Sequence, residues 1–286
     1  MVEQRVALVT AARLGEGMED TVELIEQLRR AGAEADLPVW NAPEVAWDGY
    51  TSVHLHSPWD YSEHLDGFLG WLGSEQVGGR TSNDASLIAW NTDKRYLLEL
   101  QERGVALPRT VLGLTGSALS AQRLRDELGE CRIVVKPTIS AGGRRAWLCD
   151  SPELAYQTIQ RQAPAEAVLA QVYEADIETL GEFSAVYLGG ELSHVVRKTP
   201  AAGDFRVQGH FGGRTEPVAA TDWIARYCAA VLAAAPSAPA YARVDFLVDR
   251  AGDPKLMELE LVEPDLFLRY CPRSYQRLTQ LLLHRT

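Results

Sequence analysis

The sequence predicts an α/β protein that takes on α+β character in its C-terminal part, and three observations carry that reading. A β-α-β-like rhythm runs through residues 1 to about 90. Short apolar strands and amphipathic helices then alternate as far as residue 235. Near the C-terminus, RVDFLVD, RAGDP and KLMELEL spell strand, turn and strand, a β-hairpin from Arg243 to Leu261.

Taken in order, RVALVT (residues 5–10) reads as a buried strand. Asp20 to Arg30 gives a helix with apolar Val22, Leu24, Ile25 and Leu28, ending near Gly32. Ala33 to Val39 reads as a second strand, and Ser52 to His56 as a third before the Pro58 break. His64 to Leu72 is an amphipathic helix, and Asp93 to Arg103 another that Gly104 ends. Pro108 leads a short strand. RIVVKP (132–137) is a strand stopped by proline, followed by the loop T-I-S-A-G-G-R-R and a strand around Ala146 to Cys149. A helix at Pro152–Gln162 and strands at Val168–Val172, Gly181–Leu188 and Glu191–Lys198 come next. Ala201 to Gly213 is glycine-rich and reads as a mobile loop. A helix at Thr221–Ala235 precedes the hairpin, and residues 271–286 read as a closing helix. No repeat, low-complexity tract or flexible linker interrupts this order.

Composition excludes several classes. The chain has 286 residues, enough for two or three compact units. A net charge of −11 argues against a nucleic-acid binder, which would carry a basic face. The four cysteines are scattered with no C-x-x-C, so neither zinc nor a disulfide framework is implied. No signal peptide opens the chain and no apolar run approaches the ~20 residues of a membrane helix. A cytoplasmic protein without membrane partners is expected.

Two constellations carry chemistry. On the hairpin, Glu258 and Glu260 are i and i+2 and face one side, and pairing across the turn can bring Asp245 beside them. Three carboxylates on one face repel unless a cation lies among them, and hard oxygen ligands of this kind suit Mg²⁺ carrying substrate phosphates. On this segment alone a solvated acidic edge strand stays open beside the metal reading. The second constellation is cationic. Lys136 ends a buried strand and roots a loop with Ser140, Gly142 and Gly143, whose backbone N–H groups can turn toward one anion. An ordinary turn with a snorkelling lysine fits this segment as well. Lys94, taken alone, is an exposed helical lysine. Neither a Walker loop, a G-x-G-x-x-G, nor the kinase signatures are present.

The ordered set W-N-T-D-K94, V-V-K136-P-T-I-S-A-G-G, Q171-V-Y, G-E182-F-S, G-D-F-R206, R243-V-D245 and E258-L-E260 resembles the ATP-grasp superfamily over roughly residues 85 to 270. The arrangement looks most like the branch containing D-alanine–D-alanine ligase, glutathione synthetase and the ribosomal-protein glutamate ligase. The ending M-E-L-E-L-V-E-P-D-L-F-L is similar to that of actinobacterial natural-product ligases, including the O-ureidoserine cyclo-ligase of cycloserine assembly. The resemblance implies an ATP-grasp fold behind an open α/β pre-ATP-grasp domain, with units at 1–90, 91–173 and 174–286.

It also implies roles. Lys94 and Lys136 would hold ATP phosphates under the Ser140–Gly143 loop. Gln171, Val172 and Tyr173 would bind adenine, Glu182 the ribose, and Met257 would pack beneath the purine. Asp245, Glu258 and Glu260 would hold two Mg²⁺ ions, or Mn²⁺. Arg243 would stabilise the acyl phosphate and tetrahedral intermediate, with Lys198 and Arg206 adding positive charge. The implied reaction is ATP-dependent joining of a small carboxylate to an amine, releasing ADP and phosphate, with a homodimer open as the assembly.

The chain departs from the family where many relatives have E-x-N-x-x-P-G: Glu260 replaces the asparagine and L-V-E263-P-D follows. A further departure is the long stretch Tyr173 to Gly181. Ser57, Trp59 and Asp60 follow the third strand, where open α/β sheets place ligands, and are expected substrate contacts. Interface packing is the competing reading for Trp59 and Tyr61. His54 and His56 alternate on the strand and read as structural. The alternatives to a small-molecule ligase are a ligase acting on a protein or peptide tail, and a catalytically silent ATP-binding partner.

Overall fold

The computed structural model describes residues 4–15, 17–114, 119–143 and 145–284. β1 (Arg5–Thr10), α1 (Thr21–Arg30), β2 (Glu34–Asp36) and β3 (Ser52–Ser57) open the chain. The strands form a parallel sheet in the order β2-β1-β3. β3 is buried at every residue and β1 at all but its first, as in a parallel sheet covered on both faces. The second strand is shorter than the predicted Ala33–Val39, because Pro38 supplies no N–H to extend the ladder.

α2 (Leu65–Leu72) begins one residue later than expected, behind a 3₁₀ turn at Tyr61–Glu63. α3 (Ala85–Asn91) was not predicted; Asp84 caps it, accepting from the Ser86 N–H at 2.8 Å. α4 spans Tyr96–Glu102, starting three residues inside the predicted Asp93.

The second sheet contains β4 (Thr110–Gly113), β5 (Ile133–Pro137), β6 (Trp147–Cys149) and β7 (Val168–Val172), antiparallel in the order β4-β7-β5-β6. α5 (Ala121–Leu128) and α6 (Pro152–Gln162) cover one face. α5 escaped the sequence reading because Leu124 and Leu128 are its only apolar core positions. Arg144, in the glycine loop between β5 and β6, lies outside the described residues.

After the one-turn α7 (Ile177–Leu180), a five-stranded antiparallel sheet closes the molecule in the order β10-β9-β8-β11-β12. Its strands are β8 (Glu182–Leu188), β9 (Glu191–Thr199), β10 (Arg214–Val218), β11 (Tyr241–Val248) and β12 (Pro254–Glu260). α8 (Asp222–Ala233) and α9 (Pro272–Leu283) complete the element list.

The two faces of this sheet differ, and the period-2 alternation explains how. Ala185, Tyr187, Ala242, Val244 and Phe246 point into a core shared with Leu97 and Leu100 of α4 and Ile224 and Cys228 of α8. On the opposite face Val186, Leu188 and Tyr241 meet α1 and α9 through Leu24, Leu28, Leu278 and Leu282. Farther along that same face the pattern turns polar, with Glu182, Ser184, Lys198, Arg243 and Asp245 all buried. Asn83 ties the early and late chain together. Its amide donates to the Tyr241 and Leu261 carbonyls at 2.9 and 2.8 Å and accepts from Ala240 N–H at 2.7 Å. Among the described residues no helix is long and apolar enough to cross a membrane.

Candidate active site

The hairpin register sets the carboxylates side by side. Asp245 pairs with Glu258 and Arg243 with Glu260 across β11 and β12. Between Asp245 and Phe246 the register slips, leaving Met257 as the extra residue of a bulge. Such a bulge re-aims side chains locally, and Met257 and Glu258 both line one cavity. Carboxylate oxygens of Asp245, Glu258 and Glu260 all lie within 4.8 Å of one another.

β12 is an edge strand, and side chains fix its free edge beside these glutamates. Asn91 donates to the Leu259 carbonyl at 2.8 Å and accepts from Leu261 N–H at 2.8 Å, while Leu259 N–H donates to the Tyr96 hydroxyl at 2.9 Å. The edge thus gains ladder partners without another strand.

Asp245 is the most heavily held carboxylate. It accepts from Ser184 Oγ at 2.5 Å and from Arg243 Nε and Nη2 at 3.0 and 2.8 Å, and Lys198 Nζ lies 3.3 Å away. Burial disfavours its charge, but the Arg243 and Lys198 cations and these hydrogen bonds outweigh it and hold its pKa well below the usual range. Burial also opposes ionisation of Glu258, yet Lys94, 3.1 Å away, and Lys136 keep it below its ordinary value. Glu260 goes the other way. Burial, then repulsion from Asp245, Glu258 and Glu263, outweighs Arg243 and pushes it up to about 8.

Burial and mutual repulsion therefore work against ionising all three carboxylates together, even with Arg243 on Glu260 and Lys94 on Glu258. The cluster's donors are all oxygens, and Glu258 and Glu260 keep 27 % and 26 % of their side-chain surface open. A hard divalent cation fits such a set.

Lys136 lies on the face of β5 that also presents Val134, opposite the buried Ile133 and Val135. Burial lowers its pKa, partly offset by Glu258. Lys94 is fixed through its backbone N–H to Thr138 O at 2.8 Å and through Nζ to Ser140 O. Gly142 and Gly143 are both left-handed, at φ 64° and 67°. A Cβ on Gly143 would meet the Gln208 amide at 3.1 Å, and His210 Nε2 lies 3.1 Å from Gly142 O. The 140–143 loop and the 201–213 loop thus touch.

Two cavities meet over this cluster. The first is lined by Lys136, Ser140, Gln171, Val172, Tyr173 and Met257, with Gly142, Gly143, Glu182 and Arg206 also on its wall. The Val172 and Tyr173 N–H groups are already given to the Arg109 and Arg132 carbonyls, each at 2.9 Å. Lys198 Nζ sits 2.5 Å from Glu182; burial opposes its charge, but Asp245 and Glu182 raise its pKa. Arg206 is paired with Asp204 at 2.8 Å and stacks 3.5 Å over the Phe211 ring.

The second cavity holds about 550 Å³ and is lined by Trp59, Tyr61, Arg243, Glu260, Glu263 and Arg269 among others; Lys94 and Glu258 border both. Of the expected substrate contacts only Trp59 reaches it. Ser57 is fully buried with its hydroxyl 2.8 Å from Thr10 Oγ1, and Asp60 accepts from Trp40 Nε1 at 2.8 Å. Neither lines either of these two cavities, since Ser57 is turned toward Thr10 inside the parallel sheet and Asp60 toward Trp40. Sequence reasoning missed Asn91, Tyr96 and Ser184, which lie 168, 163 and 61 positions from the groups they hold. Glu263 was seen only as a departure from pattern.

The chain resembles known proteins along nearly its whole length. Residues 6–83 match a family model described as the N-terminal domain of D-cycloserine synthetase DcsG. The cycloserine biosynthesis protein DcsG of Streptomyces lavendulae is 29 % identical, with 93 % of each chain covered. The crystal structure of D-cycloserine synthetase DcsG superposes with a TM-score of 0.85 at 27 % identity, covering 97 % of this chain and 98 % of that one. D-alanine–D-alanine ligase from Bacillus anthracis gives 0.73 at 17 % identity, over 98 % and 96 % of the two chains. The ATP-grasp ligase PsnB, complexed with a precursor variant, Mg and ADP, gives 0.66 at 16 % identity, over 97 % of each. The last two likenesses bear on the fold alone, and that fold is ATP-grasp.

Proposed function

We propose that this chain is an ATP-grasp ligase that forms carbon–nitrogen bonds, activating the carboxylate of a small amino-acid-like molecule and coupling it to an amine. The substrate carboxylate attacks the γ-phosphate of ATP, giving an acyl phosphate and ADP. The amine then adds to the activated carbonyl, and phosphate leaves as the amide forms. Phosphoryl transfer of this kind needs alignment and charge neutralisation more than covalent help.

One observation carries the reading. Lys94 and Glu258 belong at once to the cavity containing Lys136 and to the 550 Å³ chamber containing Arg243, so a phosphate-binding cluster opens directly onto a small-molecule site. Lys94, Lys136 and the Ser140–Gly143 loop would hold the phosphates. Gln171, Val172, Tyr173 and Met257 would enclose the base; the Val172 and Tyr173 N–H groups are committed to backbone carbonyls and would not serve as its donors. Glu182 would meet the ribose, with Lys198 keeping it in place. Asp245, Glu258 and Glu260 would hold Mg²⁺, two ions or Mn²⁺ in their place, which would supply charge neutralisation for the phosphates. Arg243 faces the second chamber, where a developing oxyanion would form, and Arg206 adds charge from the loop above the first. Contact between the two loops at Gly142 and Gly143 would help to keep water from the acyl phosphate.

The test is ADP and phosphate release against a panel of amino acids, each with and without a second amine. Release that depends on one acid names the donor, and product mass tells whether the amine came from the same molecule. ATP binding without stimulation by any acid would overturn the small-molecule reading.

A further inference from the structure

Thr110 stands opposite Gln171 across β4 and β7, and Gln171 stands opposite Val134 across β7 and β5. Residues paired in this way share a face, so the three side chains form one row, on the side of the sheet turned away from the core under α5 and α6. β7 lies between β4 and β5 and is laddered on both edges, which fixes the Gln171 backbone. The neighbouring Val172 N–H donates to the Arg109 carbonyl at 2.9 Å, so the segment entering β4 is held as well. Gln171 is buried and lines the first cavity together with Val134, Ala146, Ile177 and Met257. Thr110 is not on the cavity wall.

Hydrogen-bond accounting orients the Gln171 amide. Thr110 Oγ1 lies 2.7 Å from the Pro108 carbonyl, which can only accept, so the single hydroxyl proton is committed there. Only lone pairs remain on Oγ1. The Gln171 amide meets that oxygen at 2.9 Å, and it can do so only with its NH₂ end. A turned amide would set two oxygens against each other with no proton between them. Oε1 is thus the end left for the cavity, and no group among the described residues donates to it. A buried carbonyl oxygen in this position takes its donor from whatever fills the cavity.

We propose that Thr110 is a positioning residue for base selection: by fixing the Gln171 amide it presents a carbonyl to the purine, so that a 6-amino base is accepted and a 6-oxo base rejected. Adenine brings an N–H donor to that carbonyl, whereas guanine or hypoxanthine brings a second carbonyl. Two acceptors face to face are both left buried without a proton, which costs more than the loss of one hydrogen bond. Thr110 acts wholly through Gln171, from outside the cavity. The inference rests on the reading of the first cavity as the nucleotide site, and not on the fate of the carboxylate.

The test is calorimetric binding of ADP and of inosine diphosphate, each with Mg²⁺, to the wild type, Thr110→Val and Thr110→Ser. Valine keeps the shape and strand preference of threonine but removes the acceptor, so the amide is free to turn. The wild type is expected to prefer ADP by about thirtyfold or more. In Thr110→Val that ratio should fall by about fivefold or more, chiefly because inosine diphosphate binds more tightly once the NH₂ end can reach its 6-oxygen. Thr110→Ser keeps the hydroxyl and should keep the wild-type ratio. Adding Gln171→Glu to Thr110→Val puts an oxygen at both ends of the side chain and should abolish the gain. Equal affinity of the wild type for the two nucleotides, an unchanged ratio in Thr110→Val, or an equal loss of both there would overturn the inference, the last marking Thr110 as structural only. Binding of neither nucleotide would overturn it together with the nucleotide reading of the cavity. A ratio that shifts as expected in a protein whose ADP release no acid stimulates would sink the ligase reading and leave base selection standing.

Discussion

Lys94 Nζ lies 3.1 Å from a carboxylate oxygen of Glu258, so one ion pair joins the segment just before α4 to the last strand of the five-stranded sheet. The lysine also reaches Ser140 O in the glycine loop. Removing the carboxylate is therefore expected to disturb the proposed cation site and the proposed phosphate site together.

Glu258→Gln is expected to lower acid-dependent ADP formation about a hundredfold or more, because a metal's charge stabilisation is worth several kcal/mol. Half-saturation by Mg²⁺ should shift upward as well. Glu258 borders open cavities, so the thermal midpoint should move little. A Mg²⁺ titration of turnover, paired with a melting curve, checks both.

Asp245→Asn should behave differently. Asp245 is buried and holds Ser184, Arg243 and Lys198 at once, so neutralising it removes a counter-charge shared by two buried cations and leaves Lys198 to Glu182 and Arg243 to Glu260. Breaking such a pair destabilises by about 3 kcal/mol or more. Loss of activity is expected together with a clear drop in the urea midpoint at unchanged slope.

Arg243→Lys tests the oxyanion role. The guanidinium reaches Asp245, Glu260 and the Asp265 carbonyl at once, a fork that lysine cannot copy. Roughly 3 kcal/mol of transition-state stabilisation, or about a hundredfold in kcat, should go. ATP affinity should stay near wild type.

His56 gives a pH signature. Its ring is buried with Nε2 2.8 Å from Thr21 Oγ1, and burial lowers its pKa to about 4. The unfolded value is about 6.5. Because the folded pKa is depressed, this contribution is complete above about pH 6.5 and is lost as pH falls toward 4. About 2 kcal/mol should disappear between pH 7.5 and 5 from this residue. Urea unfolding at both pH values, compared with His56→Gln, should show a flatter profile in the variant.

Ser57→Ala and Asp60→Asn should leave the KM for the carboxyl donor unchanged. Each is expected to cost roughly 1 kcal/mol of stability through its lost or weakened hydrogen bond, to Thr10 and Trp40 respectively. Trp59→Ala should raise that KM, since its ring lines the chamber and holds Glu263. Steady-state kinetics on the three variants separate the two cases.

This last contrast shows where the sequence stops being legible. The hairpin was readable because its signals are local: a turn, two alternating strands, and glutamates at i and i+2. Its strands do pair Asp245 with Glu258. The parallel opening sheet was readable from apolar runs, and Lys136 from the strand and proline around it. Short elements were not, as α3, α5 and β10 show. Nor could sequence tell which way β3 turns Ser57, because a strand alternates every residue and the tertiary layers decide which face meets ligand. Asn91 sits inside a motif that was noticed for Lys94. Its task, bonding the edge of β12 at Leu259 and Leu261, depends on a contact 168 residues away.

The most direct test of the acyl-phosphate route is isotopic. The carboxyl donor named by the ADP-release panel would be labelled with ¹⁸O in both carboxylate oxygens, and the phosphate released with product analysed by mass spectrometry. One ¹⁸O per phosphate is expected, because the oxygen that attacks ATP leaves with phosphorus when the amine adds. Phosphate free of label, formed alongside amide product, would contradict activation of the carboxylate by phosphorylation.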